Sequence, residues 1–146
     1  MKIYLDTCCY GRPWDDQTQT NILAETAAIK SAIKTCCTKG FAIIGSPMLI
    51  MEINNITILN LRQKVMNFYS DTTTMWAPMT ALVEARARQL QAGGQKVFDS
   101  YHAALSESAE ADYLLTTDPK FVNAAARLGV KTKVINPINF IKEYLK

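Results

Sequence analysis

Four acidic residues lie far apart along the chain, each near the start or end of a predicted secondary-structure element: Asp6, Glu52, Asp99 and Asp118. If the fold brings them within a few ångströms, their charges repel one another, and the carboxylates must either take up protons or bind a cation. A set of oxygen ligands without His or Cys suits Mg²⁺ or Mn²⁺ rather than zinc. With one ion or two, such a cluster can activate water for in-line attack on phosphorus. The chemistry indicated is phosphodiester hydrolysis.

Two of the four acids follow predicted strands. Asp6 closes an apolar strand that begins at Lys2, and Asp118 follows a short buried strand at residues 113–115. Pro119 favours the first turn of a helix, so Asp118 lies between a strand and the next helix. Carboxyl ends of parallel strands meet at one edge of a sheet, where ligands bind in open α/β folds. We therefore expect Asp6 and Asp118 at the same edge.

The other two acids are expected on helices. Ser46 and Pro47 predict a helix start after the apolar strand at residues 41–45, so that this helix can point Glu52 toward the same edge. Asp99 begins the helix that feeds the fourth strand, and only the overall fold can bring it to the cluster. Taken singly, Asp99 and Asp118 are equally well explained as helix-capping or first-turn charges.

Strands alternate with helices throughout the chain. We expect strands at residues 2–6, 41–45, 74–77, 113–115 and 130–135, and a loop at 7–13. We expect helices at residues 19–38, 47–69 with a break near 54–57, 78–93, 97–112, 119–128 and 137–145. This alternation predicts a parallel α/β sheet with right-handed crossovers and helices on both faces.

Length and composition indicate an ordinary globular chain. With 146 residues, of which 49% are hydrophobic, one domain covering residues 1–146 is expected. The net charge of +3 is too small to indicate a dedicated nucleic-acid binder. No apolar run approaches a membrane span or a signal peptide, so we expect a cytoplasmic protein without a membrane partner. The adjacent pairs Cys8-Cys9 and Cys36-Cys37 lack C-x-x-C spacing, and we expect reduced thiols.

The order of these motifs resembles that of the PIN domain family over essentially the whole chain. The matching features are Asp6 after the first strand, Glu52 after the Ser-Pro helix start, Asp99 in D-S-Y-H-A-A and Asp118 in L-L-T-T-D. Residues 6–13, D-T-C-C-Y-G-R-P, resemble a bacterial subgroup of that family. The resemblance implies a three-layer α/β/α fold with a five-stranded parallel sheet in the order 3-2-1-4-5.

The same resemblance implies an activity and a set of site residues. It implies Mg²⁺- or Mn²⁺-dependent ribonuclease activity like that of the toxins of toxin–antitoxin pairs, with Asp6, Glu52, Asp99 and Asp118 as metal ligands. RNA would be the substrate, a small antitoxin the partner, and a homodimer the assembly. Members often carry a hydroxyl residue two positions before the last acid, here Thr116. Thr7 follows the first acid, and Cys8 replaces the asparagine that many relatives carry next.

Several nearby residues have both a functional and a structural interpretation. Arg12, with Tyr10 and Trp14, could bind phosphate and stack a base, or could simply anchor the loop. Glu25 could support the site or hold Arg12, or could be a solvated helix charge. His102 shares the helical face of Asp99, but a lone histidine among alanines favours a structural role. Two further acids, Asp15 and Asp16, are expected to cap the first long helix rather than bind metal.

Three functions are compatible with these residues. An endoribonuclease, as the toxin of an antitoxin-regulated pair, accounts for the four ordered acids. A PIN-fold module that binds RNA or a protein without cutting is the alternative, because Cys8 departs from the family pattern and no basic tail is visible. A phosphatase that forms an aspartyl-phosphate on Asp6 is disfavoured, because Cys8 interrupts the D-x-D arrangement used in such enzymes.

Overall fold

Five parallel strands form a single sheet, in the order β3-β2-β1-β4-β5. The computed structural model describes residues 1–144. The strands are β1 (Lys2–Leu5), β2 (Ala42–Gly45), β3 (Met75–Trp76), β4 (Tyr113–Leu115) and β5 (Lys133–Ile135). The predicted order and the parallel pairing are confirmed. The last strand is three residues shorter than predicted, because the chain turns after Gly129 before it pairs with β4.

Both faces of the central strands are covered. Ile3, Tyr4 and Leu5 are consecutive in β1, and none is more than 1% exposed. Since successive side chains of a strand point to opposite faces, helices must pack on both sides of the sheet. Ile43 and Ile44 of β2 repeat this pattern. The continuous apolar strands of the sequence therefore correspond to the three-layer α/β/α arrangement.

Helices connect the strands as the alternation predicted. They are α1 (Thr7–Gly11), α2 (Thr20–Lys39), α3 (Pro47–Asn54), α4 (Leu59–Thr72), α5 (Ala81–Ala92), α6 (Val97–Ser108), α7 (Pro119–Arg127) and α8 (Pro137–Tyr144), with one 3₁₀ turn at Arg12–Trp14. The predicted break near residues 54–57 separates α3 from α4. Leu145, the predicted end of the last helix, lies outside the described residues. Among residues 1–144, no helix is both long and apolar enough to cross a bilayer.

The predicted loop at residues 7–13 is wrong, because this segment is helical. The Asp6 side chain accepts a hydrogen bond from the Thr7 backbone N–H at 2.7 Å and caps α1. Gly11 adopts an ordinary right-handed helical conformation. A tight helical turn therefore starts at the carboxyl end of β1, which fixes the direction in which residues 6–8 present their side chains.

Asp15 and Asp16 do not cap α2, contrary to the prediction. Gln19 precedes that helix without a capping hydrogen bond from its side chain. Asp16 instead accepts hydrogen bonds from the backbone and hydroxyl of Thr18, at 3.0 and 2.6 Å, and Asp15 forms an ion pair with Arg12. Both acids stabilise the connection before α2, because short polar side chains close turns as readily as they cap helices.

Helix α3 is held at its start by local contacts that follow from the sequence. Ser46 Oγ accepts from the Leu49 N–H at 3.3 Å, and Pro47 occupies the first turn, as predicted. The Ser46 N–H donates to the Tyr69 hydroxyl at 3.2 Å. That hydroxyl fits only because β2 ends at Gly45, where an added Cβ would stand 2.4 Å from it. The helix that carries Glu52 therefore begins at a position fixed by these contacts.

Candidate metal centre

Asp6 is fixed at the carboxyl end of β1. Its backbone N–H donates to the Leu115 carbonyl of β4 at 2.9 Å, and its side chain is almost fully buried. Oδ1 accepts from the Thr7 N–H, and Oδ2 accepts from the Thr116 hydroxyl at 2.8 Å. Because both oxygens are hydrogen-bonded, the orientation of the Asp6 carboxylate is fixed.

Thr116 and Cys8 form a small cluster around Asp6. Cys8 Sγ lies 3.4 Å from Asp6 Oδ2 and 3.5 Å from the Thr116 hydroxyl, and the Thr117 N–H donates to the same sulfur at 3.4 Å. The four cysteines, Cys8, Cys9, Cys36 and Cys37, are free thiols, as expected. Cys8 therefore contacts the first acid directly, although sulfur is a weaker hydrogen-bonding atom than an amide.

Glu52 reaches the same edge from α3. Its Oε1 accepts from the Thr7 hydroxyl at 2.7 Å, so Thr7 contacts both Asp6 and Glu52. The Glu52 side chain is 25% exposed, whereas the Asp6 side chain is 10% exposed. Glu52 is thus held at the rim of the cluster, where it remains open to solvent.

His102 is part of the cluster, which the sequence did not predict. Its Nε2 hydrogen-bonds with Glu52 Oε1 and lies 3.5 Å from Asp6 Oδ1, while Nδ1 lies 2.6 Å from the Tyr4 hydroxyl. Tyr4 in turn contacts Ser46 Oγ at 2.8 Å. Because Ser46 caps the helix that carries Glu52, these contacts connect α6 and α3 through the buried core.

Burial and charge act in opposite directions on the pKa values of His102 and Glu52. Burial lowers the pKa of His102, but the hydrogen bond with Glu52 and the charges of Asp6, Glu52 and Asp99 outweigh it, so the pKa lies above its ordinary value. Burial raises the pKa of Glu52, but the hydrogen bond and charge of His102 reverse the shift, with help from Thr7. Both shifts act in the direction of an imidazolium paired with a carboxylate.

Asp99 brings the four predicted acids into one electrostatic environment. It lies half-buried in the first turn of α6. Burial, followed by the negative charge of Asp6, raises the pKa of Asp99 from 3.8 to about 6, and Asp118 and Glu52 add to the shift. His102 opposes it. Asp6 and Glu52 lie with His102 in one group of ligand atoms within 4.8 Å of one another, whereas Asp99 and Asp118 are linked to that group through their charges.

Asp118 has two roles in the local structure. It is the N-cap of α7, where Oδ1 accepts from the Lys120 N–H at 2.9 Å. The Asp118 N–H donates to the Thr116 hydroxyl at 3.2 Å, and the same hydroxyl bonds Asp6. The capping explanation is confirmed for this residue, and its role as a metal ligand stays a prediction.

Arg12 and Glu25, the candidates farther from Asp6, contact each other. Arg12 pairs with Glu25 at 3.1 Å and with Asp15 at 2.9 Å, and Glu25 also accepts from Asn136 at 2.7 Å. Glu25 therefore holds Arg12, one of its two predicted roles. Tyr10 is fully buried, so the expectation that it stacks on a base is wrong.

Tyr10 is buried because it packs edge-on against two aromatic rings of α4, those of Phe68 and Tyr69. Trp14 also packs against Phe68, yet it remains 39% exposed. Of the aromatic residues in this segment, Trp14 is therefore the one whose surface is open to solvent.

Two cavities adjoin the cluster. One of about 420 Å³ is lined by Thr116, Thr117 and Asn136, and one of about 210 Å³ is lined by Asp99. A larger cavity of about 570 Å³ lies beside Arg86 and Glu107, farther along α6. The first of these cavities reaches the cluster through Thr116, which hydrogen-bonds Asp6, and the second through Asp99 itself.

The donor set fits a divalent cation. Asp6, Glu52 and His102 each offer a ligand atom, and these atoms lie within 4.8 Å of one another. Asp99 and Asp118 add carboxylates that are coupled to the same cluster. The carboxylate oxygens of this set are compatible with Mn²⁺ or Mg²⁺, while both ring nitrogens of His102 are engaged by Glu52 and Tyr4. A cation there would relieve the repulsion that raises the pKa of Asp99.

Comparison with known proteins identifies the fold. Neither a protein-family model nor a curated protein matches the sequence. The fold is similar to that of a chain in the crystal structure of VapBC2 from Rickettsia felis bound to a DNA fragment from their promoter. The TM-score is 0.62 at 12% sequence identity, over 93% of this chain and 98% of that chain. This likeness supports the PIN-like fold, and the subgroup suggested by residues 6–13 stays a prediction.

Proposed function

We propose that this protein is a metal-dependent endoribonuclease that hydrolyses RNA phosphodiester bonds. The observation that carries the proposal is the group of ligand atoms from Asp6, Glu52 and His102, all within 4.8 Å of one another at the carboxyl edge of a PIN-like sheet. Repulsion among buried carboxylates destabilises the protein without a counterion, so such a cluster is retained where it binds one.

Asp6, Glu52, Asp99 and Asp118 would hold Mg²⁺ or Mn²⁺. The ion would supply charge stabilisation at phosphorus and an activated water. The chain's own residues fix the ligands: Thr7 and Thr116 hold Asp6, and Thr7 with His102 holds Glu52. His102 is a positioning residue, because it acts through Glu52 while the Tyr4 hydroxyl fixes the ring from its other side.

We further propose that the protein is the toxin of a type II toxin–antitoxin system. The structural neighbour was solved as VapBC2 on promoter DNA, which makes a small antitoxin the partner to test first. A homodimer and a cytoplasmic location belong to the same proposal. Arg12 is available to contact RNA phosphate at the rim, since its side chain is 20% exposed while it pairs with Glu25.

The direct test is cleavage of single-stranded RNA in the presence of Mn²⁺. Asp6→Asn and Asp99→Asn should each lower the cleavage rate at least about 100-fold, the loss expected when an interaction made in the transition state is removed. Both variants should melt cooperatively, as the wild type does. Cleavage by both variants at the wild-type rate would contradict the metal roles of these residues.

A second candidate function, an RNA- or protein-binding module without catalysis, is favoured by His102. Its imidazolium would neutralise part of the cluster from within the protein and so reduce the need for a metal ion. The two candidates differ in the fate of bound RNA. RNA that binds and stays intact in millimolar Mn²⁺ would indicate the binding module, whereas strand scission that EDTA abolishes would indicate the nuclease.

A further inference from the structure

A cavity at the carboxyl edge of the sheet, called here the amide cavity, is lined by asparagine side chains. It has a volume of about 420 Å³ and lies where α2, α7 and α8 meet beyond the ends of β4 and β5. Of the eight asparagines in the sequence, four line it: Asn21, Asn123, Asn136 and Asn139. Ligands of open α/β folds bind at this edge, in cavities of about 300 to 1,000 Å³. The amide cavity therefore has the size and the position of a ligand site.

One wall of the amide cavity is held in place by a buried ion pair. Glu25 is 6% exposed, its Oε1 lies 3.1 Å from Arg12 Nη2, and its Oε2 accepts from the Asn136 amide at 2.7 Å. Asn136 Oδ1 accepts from the Ile138 N–H at 2.8 Å, so the plane of this amide is fixed. An asparagine has two N–H donors and an oxygen with two lone pairs. Asn136 therefore keeps one donor and one lone pair that its protein partners do not use.

The other three asparagines of the lining are exposed. Asn21 lies in the first turn of α2, Asn123 in α7 and Asn139 in the first turn of α8. Unlike the Asn136 amide, none of these three amides forms a hydrogen bond within residues 1–144. A ligand in the cavity can therefore reach them, and each offers both donors and an acceptor without a net charge.

The lining of the amide cavity favours a neutral ring over a phosphate. Among the described residues, no Lys or Arg lines it, and its single acid, Glu25, is compensated by Arg12. Pro119, Val122 and Ile135 add apolar surface. Phosphate recognition relies on Arg or Lys, whereas neutral amides beside apolar surface suit a planar heterocycle with apolar faces and a hydrogen-bonding edge. A nucleobase has both properties.

We propose that the amide cavity binds a nucleoside of the RNA strand, next to the nucleotide whose phosphate is cut. The inference rests on the proposed ribonuclease function and names a subsite for its substrate. The cavity and the acidic cluster share Thr116, whose hydroxyl donates to Asp6 Oδ2 at 2.8 Å. Bases of single-stranded RNA can be turned out of the stack, so one base can enter the cavity. There Asn21, Asn123 and Asn139 hydrogen-bond its edge.

The NMR signals of the side-chain amides test this binding directly, in EDTA and therefore without cleavage. Adenosine, cytidine or uridine should shift the NH₂ signals of Asn21, Asn123 and Asn139 with a Kd of about 1 mM or tighter. Asn67 is the control, because it is an exposed asparagine of α4 that does not line the cavity. If none of the three nucleosides shifts these signals at roughly ten times that concentration, the subsite is overturned.

A phosphate group should add nothing to this binding. AMP should bind no more tightly than adenosine, and the Kd of adenosine should not change with salt, because salt dependence arises from contacts between phosphates and cations. The same NMR titration measures both. AMP that binds about tenfold more tightly than adenosine, or more, would show that the cavity recognises phosphate and would overturn the nucleoside assignment.

Removal of the amides should weaken binding without unfolding the protein. The triple variant Asn21→Ala, Asn123→Ala, Asn139→Ala should bind adenosine at least about fivefold more weakly, the loss expected for one net hydrogen bond. Asn67→Ala should bind it as the wild type does. Alanine is the better helix former at these exposed positions, so the Tm should stay equal or rise. If the triple variant does not fold, Asn123→Ala and Asn139→Ala provide the test singly. Wild-type affinity in the folded variants would overturn the subsite.

A single-stranded RNA oligomer tests whether the bound nucleoside belongs to the substrate strand. In EDTA the oligomer should shift the same three amide signals and displace adenosine, because its base occupies the same cavity. An oligomer that binds the protein while adenosine stays bound would assign the cavity to a free nucleoside and would overturn the RNA subsite.

Failure of the proposed function gives a different result. RNA that displaces adenosine but is never cut in Mn²⁺ would support the subsite and refute the nuclease. Mn²⁺-dependent cutting by a protein whose amide signals respond neither to nucleosides nor to RNA would support the nuclease and overturn the subsite. The NMR titration and the cleavage assay therefore test the two proposals separately.

Discussion

Two regions of the molecule bury carboxylates in opposite ways. Beside the cavity at α5 and α6, Glu107 is neutralised by Arg86 through two hydrogen bonds of 2.8 and 3.2 Å, and it also accepts from the Lys131 N–H. At the carboxyl edge of the sheet, the coupled acids have no Arg or Lys partner within residues 1–144: Asp6, Glu52, Asp99 and Asp118. The same chain therefore balances an acid with a guanidinium in one place and offers four acids a single histidine in another.

The difference indicates what each region is for. An acid paired with a guanidinium is fixed and has no capacity left for a ligand, so Glu107 contributes to packing between α5 and α6. Acids that lie close to one another destabilise the fold unless a bound cation compensates their charge. Substitutions should therefore have opposite effects in the two regions: loss of an acid should weaken the fold at Glu107 and strengthen it at Asp99.

The largest expected change in stability is at the balanced region. Glu107→Gln removes the charge that compensates the partly buried Arg86, so the free energy of unfolding should fall by about 2 to 3 kcal/mol. Mn²⁺-dependent RNA cleavage should persist, because Glu107 lies outside the acidic cluster. Urea denaturation and the cleavage assay check both parts. If Glu107→Gln is as stable as the wild type, the pairing of Arg86 with Glu107 does not stabilise the fold.

A smaller change of opposite sign is expected at the acidic cluster. Asp99→Asn removes a charge whose burial, together with repulsion from Asp6, raises the Asp99 pKa to about 6. That elevation corresponds to about 3 kcal/mol in the absence of screening, and for a half-buried group about 1 to 2 kcal/mol should remain. In EDTA near pH 7, Asp99→Asn should be more stable than the wild type by that amount.

The pH dependence of the same variant sharpens the test. A carboxyl whose pKa is raised in the folded state stabilises the protein below its unfolded pKa, and this contribution is lost as the pH rises through the folded value. The Asp99 contribution to wild-type stability should therefore decline between about pH 4 and pH 6. Asp99→Asn should lack that decline, which chemical denaturation across the range can measure. If the curves of unfolding free energy against pH are parallel for the wild type and Asp99→Asn, the raised pKa of Asp99 is contradicted.

The smallest effect separates the two roles of Asp118. Asparagine can replace aspartate as an N-cap, whereas alanine cannot, so Asp118→Ala should be about 1 kcal/mol less stable than Asp118→Asn. Both variants should lose Mn²⁺-dependent cleavage, because both lack the carboxylate. Thermal melting of the pair isolates the cap from the charge. Full cleavage by Asp118→Asn would show that the cap is its main role.

The parts of the fold that could be predicted are those encoded by local patterns. Continuous apolar runs at β1, β2 and β4 indicated strands covered on both faces, and Ser46-Pro47 and Asp118-Pro119 marked two helix starts that the structure confirms. The helix α1 was missed because its cap is Asp6, a residue that the pattern assigned to the preceding strand. Asp6 follows the strand and also caps the helix. A pattern read from neighbouring residues in the sequence does not separate those two roles.

The parts of the site that could not be predicted depend on contacts between distant residues. His102 looked structural because alanines surround it in sequence, yet its partners Tyr4 and Glu52 are 98 and 50 residues away. Its spacing of three residues from Asp99 on one helix face was the available signal.

The most direct test of a cation-compensated acidic cluster is thermal melting with and without Mn²⁺. Binding to the folded state alone stabilises it by about 2.7 kcal/mol when the free ion is at 100 times its Kd, which raises the Tm by several degrees for a domain of this size. Wild type and Glu107→Gln should both show this rise in millimolar Mn²⁺, whereas Asp6→Asn and Asp99→Asn should show little or none. An unchanged wild-type Tm at millimolar Mn²⁺ would contradict the metal centre.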